Sequence, residues 1–95
     1  METVIWEVKR HDSWRVTAWP IKGIGHGSAF SKKLFKFAKD GLTTEDMRGT
    51  ALLAAIQSFA PATVREQPDN GLGIVEATAR HIDLNLFEVK YTLAD

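Results

Sequence analysis

The stretch TTEDMRGTALLAAIQSFA, residues 43–60, constrains this chain more than any other. Thr43 and Thr44 stand just ahead of an apolar run, and Glu45 and Asp46 follow them. A threonine so placed accepts a hydrogen bond from a first-turn amide, and acids there meet the positive end of a helix dipole. Asp46 comes three residues after Thr43, the spacing of a capping box. Leu52, Ala55, Ile56 and Phe59 recur at helical spacing beside Met47, Ala51 and Leu53. The block ALLAAI carries no charge on any face, so a helix here is covered on more than one side. Gly49 is the discordant residue, costing roughly 1 kcal/mol against alanine inside a helix. Pro61 ends the run, because the residue before a proline avoids helical backbone. The segment predicts one long helix over 43–60.

A second helix is predicted over 29–39, with Ser28 as its cap. Phe30, Leu34 and Phe37 form its inner stripe with Ala38 beside them, while Lys32, Lys33, Lys36 and Lys39 face solvent. Asp40-Gly41-Leu42 reads as a stop: glycine takes the left-handed position and Leu42 folds back onto the last turn. The gap before Thr43 is so short that the two helices are expected to form a helical hairpin.

Both ends of the chain read as strand. Residues 4–8, V-I-W-E-V, are β-prone. Asp12-Ser13 favours a turn. Residues 14–21 alternate, with Trp14, Val16, Ala18 and Pro20 on one face and Arg15, Thr17, Trp19 and Ile21 on the other. The result is a β-hairpin over 3–21, whose second strand lies at an edge or stops at Pro20 for want of an N–H. Residues 61–70 form a polar connection, and Asp69-Asn70-Gly71 is a strong turn signal. In 72–93, Val75, Ala79, Ile82, Leu86, Val89 and Leu93 fit a helical period, whereas Leu84 and Leu86, then Phe87, Val89, Tyr91 and Leu93, fit strand alternation with a phase switch at 86–87. Phase switches accompany bulges. Aromatic and β-branched content makes 84–93 a strand, and 72–80 inclines the same way. The expected fold is α+β in the order β-β-α-α-β-β. An antiparallel sheet, built from the N-terminal hairpin and C-terminal strands, carries a two-helix hairpin packed on one face.

Ninety-five residues make a single domain, 1–95, with one modest core. The absence of cysteine excludes disulfides, thiolate chemistry and cysteine-ligated zinc. No apolar run approaches the roughly 20 residues of a membrane span, and METVIWEVKR has no signal-peptide stretch, so a cytoplasmic protein without a membrane partner is expected. Net charge is zero but unevenly spread. Residues 1–40 hold eight basic against four acidic side chains, and residues 41–95 the reverse. That split points either to an anionic partner for the basic half or to two halves that neutralise each other in the fold.

Three constellations bear on function. Gly23, Gly25 and Gly27, with His26 and Ser28, lie between a strand and a helix whose first turns hold Lys32 and Lys33. Free amides at such a place bind anions, yet the spacing is neither a dinucleotide fingerprint nor a P-loop, and a plain flexible connection explains it as well. The N-terminal hairpin carries Trp6, Arg10, His11, Trp14, Arg15 and Trp19. Aromatic and basic residues interleaved in this way serve unpaired bases or protein hot spots. The plainer reading puts Trp6 and Trp14 in the core and leaves only Trp19 partly exposed. His26, Ser28 and Asp40 or Asp46 are the one set that can be drawn as a triad, but triads are defined by geometry. His81 and Asp83 have no metal spacing. No catalytic residue, metal or cofactor is assigned.

Residues 30–47, FSKKLFKFAKDGLTTEDM, resemble the helical hairpin of the RelE/HigB-like toxins: an aromatic-rich basic helix, a glycine, then a capped second helix. Leu52 to Ile56 continues the likeness, and Leu72-Gly73 through Ala79-Arg80 is similar to the glycine-rich strand that follows. Leu86-Phe-Glu-Val89 is similar to a strand of a sister branch, a placement that excludes the first. The resemblance implies an antitoxin-neutralised RNase acting on ribosome-bound messenger, with basic and aromatic residues in its last strands and tail. That region is unmatched here and the C-terminal half is acidic, so no catalytic residue carries over.

The sequence thus predicts a small non-enzymatic interaction protein, of the kind carried by mobile elements or phage. Its partner is another protein, with nucleic acid as a further candidate. The candidate binding residues are Arg10, Arg15, Trp19, Lys22, Gly25, His26, Ser28, Lys32 and Lys36. The alternatives are a RelE/HigB-like toxin or an inactive relative, and an anion- or nucleotide-binding module using the 23–28 loop.

Overall fold

The first and last strands of the chain lie side by side in the middle of one sheet. In the computed structural model, which describes residues 1–24 and 28–94 with the Ser28 side chain set aside, the elements are β1 (Glu2–Arg10), β2 (Val16–Ile24), α1 (Ser28–Phe37), β3 (Leu42–Thr43), α2 (Ala51–Ser58), β4 (Ala62–Arg65), β5 (Ile74–Asp83) and β6 (Leu86–Leu93). The six strands form one antiparallel sheet in the order β3-β2-β1-β6-β5-β4. β1 pairs with β2 on one side and β6 on the other, with Glu2 opposite Tyr91 and Trp6 opposite Phe87. The fold is mixed α+β.

Strand alternation builds the core. Val4, Trp6 and Val8 of β1, Val16 and Ala18 of β2, Ala77 and Ala79 of β5, and Phe87, Val89 and Tyr91 of β6 are buried at every second position. They join Phe30, Leu34, Leu52 and Ile56 of the helices in a single cluster. α2 packs chiefly on β5, where the small side chains of Ala77 and Ala79 let the helix come close. Residues 74–83 are strand, in line with the inclination for 72–80. The phase switch expected at 86–87 has a different cause: Leu84 belongs to the β5–β6 turn, and Phe87, Val89 and Tyr91 alternate without a break. The bulges lie in β5, where Val75 and Ile82 fall at register shifts and turn outward.

The helical hairpin does not form. Between α1 and α2 the chain makes the two-residue strand β3, paired with Thr17 and Ala18, and then a series of turns. The Thr43–Asp46 capping pair exists: Asp46 Oδ2 accepts from the Thr43 N–H and hydroxyl, each at 2.9 Å, but it closes a turn and not a helix. Those two bonds hold the Asp46 carboxyl below its ordinary range. Gly49 explains the break, since its φ of +83° is left-handed. The true cap of α2 is Thr50, whose hydroxyl accepts from Leu53 N at 3.3 Å. The helix ends at Phe59, itself left-handed at φ 54°, so Pro61 follows a stop already made. α1 ends at Phe37, short of the expected Lys39; Gly41 has the expected left-handed backbone (φ +85°) but lies beyond the helix, just before β3, and Phe37 is exposed while Phe35 packs against the core in its place. Pro20 does not end β2. A bulge opens at Ile21 beside it and the strand runs on to Ile24, past the short reach of β3.

Candidate functional site

Three chain segments meet at one end of the sheet: the β1–β2 turn, the C-terminus of α2 and the β5–β6 turn. The first is built by Asp12. Its carboxylate accepts from Trp14 N at 3.1 Å, Arg15 N at 2.8 Å and Arg15 Nε at 2.7 Å. The Arg15 bond, foremost among these, holds the Asp12 carboxyl below its usual range. The ladder therefore closes at the Arg10–Val16 pair, and Trp14 sits in the turn, 67% exposed. This corrects the expectation that Trp14 is core: the alternation of 14–21 is genuine only from Val16 onward. Thr44 straps the turn to the segment after β3, donating to Trp14 O at 3.3 Å and accepting from Val16 N at 2.9 Å. Between them lies an open groove of about 530 Å³, lined by His11, Trp14, Arg15, Thr44, Arg48 and Gln57. Arg15 pairs with Asp12 and Arg48 with Glu45, so its charges cancel locally.

The other two segments frame a second, more apolar hollow of about 370 Å³. Arg10, the last residue of β1, reaches α2 and donates from Nη2 to the Ile56 carbonyl at 2.8 Å. Its guanidinium lies 4.8 Å from the centroid of the Phe59 ring. Opposite stands Leu84 in the β5–β6 turn, tied to β1 through Val8 N and Asn85 O at 2.8 Å. The His81 ring meets that of Phe87 at a tilt of 54°, centroids 5.1 Å apart, and bonds the Leu84 carbonyl. Phe59 is 78% and Leu84 84% exposed, and both have left-handed backbone (φ 54° and 41°). This corrects the patterning of the sequence, which set Phe59 on the apolar face of the 43–60 helix and Leu84 in the strand alternation: Phe59 caps α2 and Leu84 lies in a turn, both facing outward. The one signal for a reversal was a nearby turn residue, Pro61 two positions after Phe59 and Asn85 directly after Leu84.

The predicted binding residues divide. Arg10 and Arg15 come to this end of the sheet. Trp19 is half-buried and packs over Gly41, where a Cβ would come 2.7 Å from the indole nitrogen. Lys22, opposite Ile5, and Lys32 and Lys36 on α1 are exposed. Ser28 opens α1. Gly25 and His26 lie outside the described residues, and with them the middle of the 23–28 loop and the histidine of the drawn triad. Trp6 is core, 1% exposed, and its indole N–H donates to the Tyr91 hydroxyl at 3.2 Å beside a cavity of about 40 Å³. Burial pushes the Tyr91 hydroxyl well above the ordinary phenol range, against the opposing effect of the Trp6 bond. Among the described residues no cluster of three or more His, Asp or Glu is placed to hold a metal, and no helix is long and apolar enough to cross a membrane.

No protein-family model matches this chain, and no curated protein or solved structure shows significant similarity to it.

Proposed function

We propose that the chain is a non-enzymatic protein-interaction domain that docks a partner protein on the end of the sheet carrying Arg10 and Trp14. In this reading α1 and α2 cover one face of the sheet as two separate helices, and the partner meets the end of that layered body. The observation behind it is the gathering there of three large exposed apolar side chains, Trp14, Phe59 and Leu84. Aromatic and arginine side chains in such a cluster are the usual anchors of a protein interface. The locally cancelled charge of the Trp14 groove favours a protein over a nucleic-acid backbone, which is held mainly by uncompensated cations.

The test is site-specific photo-crosslinking in the native host, with a photoreactive phenylalanine at position 14 or 84 and, as control, at the exposed Lys90 of β6. A discrete adduct from positions 14 and 84 but not from 90 is the expected result. Adducts from none of the three, together with salt-sensitive retardation of RNA or DNA, would transfer the reading to a nucleic-acid partner of Lys22, Lys32 and Lys36. Growth arrest on induction, relieved by a neighbouring gene product, would favour the toxin-like alternative.

A further inference from the structure

Of the five arginines, four bond a carboxylate of their own chain: Arg15 to Asp12, Arg48 to Glu45, Arg65 to Glu76 and Arg80 to Glu88. Arg10 makes no such pair among the described residues. It is nevertheless held in place, by the Ile56 carbonyl on one side and the Phe59 ring on the other. The carbonyl uses one of the five N–H donors of a guanidinium, so most of the fork stays open. The walls beside it are apolar: Val8, Phe87, Phe59 and Leu84. Two of these are held out at a conformational cost. Among the described residues four that are not glycine have positive φ, and the two that are large and apolar, Phe59 and Leu84, both line this hollow. Left-handed backbone costs such residues on the order of 1–2 kcal/mol each, and their exposure gains nothing within the monomer.

We propose that this hollow is a recognition pocket for an acidic–apolar segment of the partner protein. In that segment a large aliphatic or aromatic side chain inserts between Phe59 and Leu84, and a neighbouring Asp or Glu carboxylate takes the open fork of Arg10. The inference rests on the protein-interaction reading and gives it a chemical specificity. A fixed arginine loses little side-chain entropy on pairing, and an apolar surround strengthens the charge-assisted bond. The same surround disfavours a free inorganic anion, which would leave the apolar walls uncovered. A basic or wholly polar segment would leave Arg10 unpaired and desolvated.

The experiment is selection of a random peptide display library on the folded full chain and on two variants, Arg10→Gln and Leu84→Asn, each checked for native fold by its amide NMR spectrum. The full chain is expected to enrich peptides pairing a large apolar residue with an adjacent or next-but-one acid. A selected peptide should lose about tenfold in affinity when its acid becomes the amide, and about as much when Arg10 becomes glutamine, without the two losses adding. Leu84→Asn, which suits the left-handed turn, should keep the fold and weaken selection for the apolar residue. Apolar enrichment with no acid preference, or an acid preference unchanged in Arg10→Gln, overturns the inference and leaves the protein-interaction reading standing. No enrichment at all overturns both.

Discussion

The guanidinium of Arg10 stands 4.8 Å from the Phe59 ring while its Nη2 donates to the Ile56 carbonyl at 2.8 Å. The last residue of the first strand thus caps the C-terminal turn of α2, where carbonyls lack intrahelical partners. One side chain, through two contacts, joins β1 to α2, with Arg10 and Ile56 46 residues apart in sequence.

Arg10→Ala should therefore destabilise the chain by about 1–2 kcal/mol, mostly through the lost carbonyl bond. Phe59→Asn should be close to neutral in urea unfolding. It loses a cation–π contact of about 0.5–1 kcal/mol and gains a residue at ease in left-handed backbone. A double-mutant cycle isolates the contact. A coupling indistinguishable from zero would mean that ring and guanidinium are merely adjacent.

Leu84 in the β5–β6 turn combines a φ of 41° with 84% exposure. Leu84→Asn should raise stability by about 0.5–1 kcal/mol, because asparagine tolerates the left-handed region and little packing is lost. Thermal unfolding of the two proteins side by side settles this. A lower melting temperature for the variant would show that Leu84 has packing its exposure does not reveal.

Gly49 gives opposite expectations from sequence and from structure. In a continuous helix over 43–60, Gly49→Ala would stabilise by roughly 1 kcal/mol. In the folded chain Gly49 has a φ of +83°, and an added Cβ would come 3.2 Å from Pro68 Cδ. Alanine there should destabilise by about 1–2 kcal/mol. The sign alone, read from denaturant midpoints, distinguishes the two.

The same residue shows where sequence reading stops. The strands were legible because side-chain alternation is a local signal and the buried face is continuous: Val4, Trp6 and Val8, then Phe87, Val89 and Tyr91. Pairing of the two chain ends followed from having strands at both. The helical pair was not legible. Thr43, Asp46 and the apolar run after Gly49 each obey helix grammar, and the capping bonds do form. What decides the path is the pairing of Leu42 and Thr43 with Ala18 and Thr17, a long-range contact without a local signature. Trp14 was misplaced for a related reason: one Asx turn at Asp12 takes it out of the strand that its neighbours obey. Of the candidate surface, Arg10 and Arg15 were visible as basic residues beside tryptophans. Phe59 and Leu84 were not, because their meaning lies in backbone φ and in the meeting of α2 with the β5–β6 turn.

Tyr91 offers the last prediction, and its sign can be worked through. It is the single tyrosine of the chain, buried, with its hydroxyl accepting from Trp6 Nε1 at 3.2 Å. Burial penalises the phenolate, so the folded-state pKa lies above the ordinary phenol value of 10.0. Below that value both states keep the proton and stability is unaffected. Above it the unfolded chain releases a proton that the folded chain retains, so stability falls with rising pH. Tyrosinate absorbance should then appear together with loss of structure in alkaline titration, and not before it. Tyr91→Phe should remove this contribution to the alkaline slope. At neutral pH the same variant should cost about 1–3 kcal/mol, because it leaves the buried Trp6 N–H without its acceptor. Tyrosinate formation near the ordinary phenol pKa, in a protein still folded by amide NMR, would show that the ring is reached by solvent and that the core around Trp6 opens on its own.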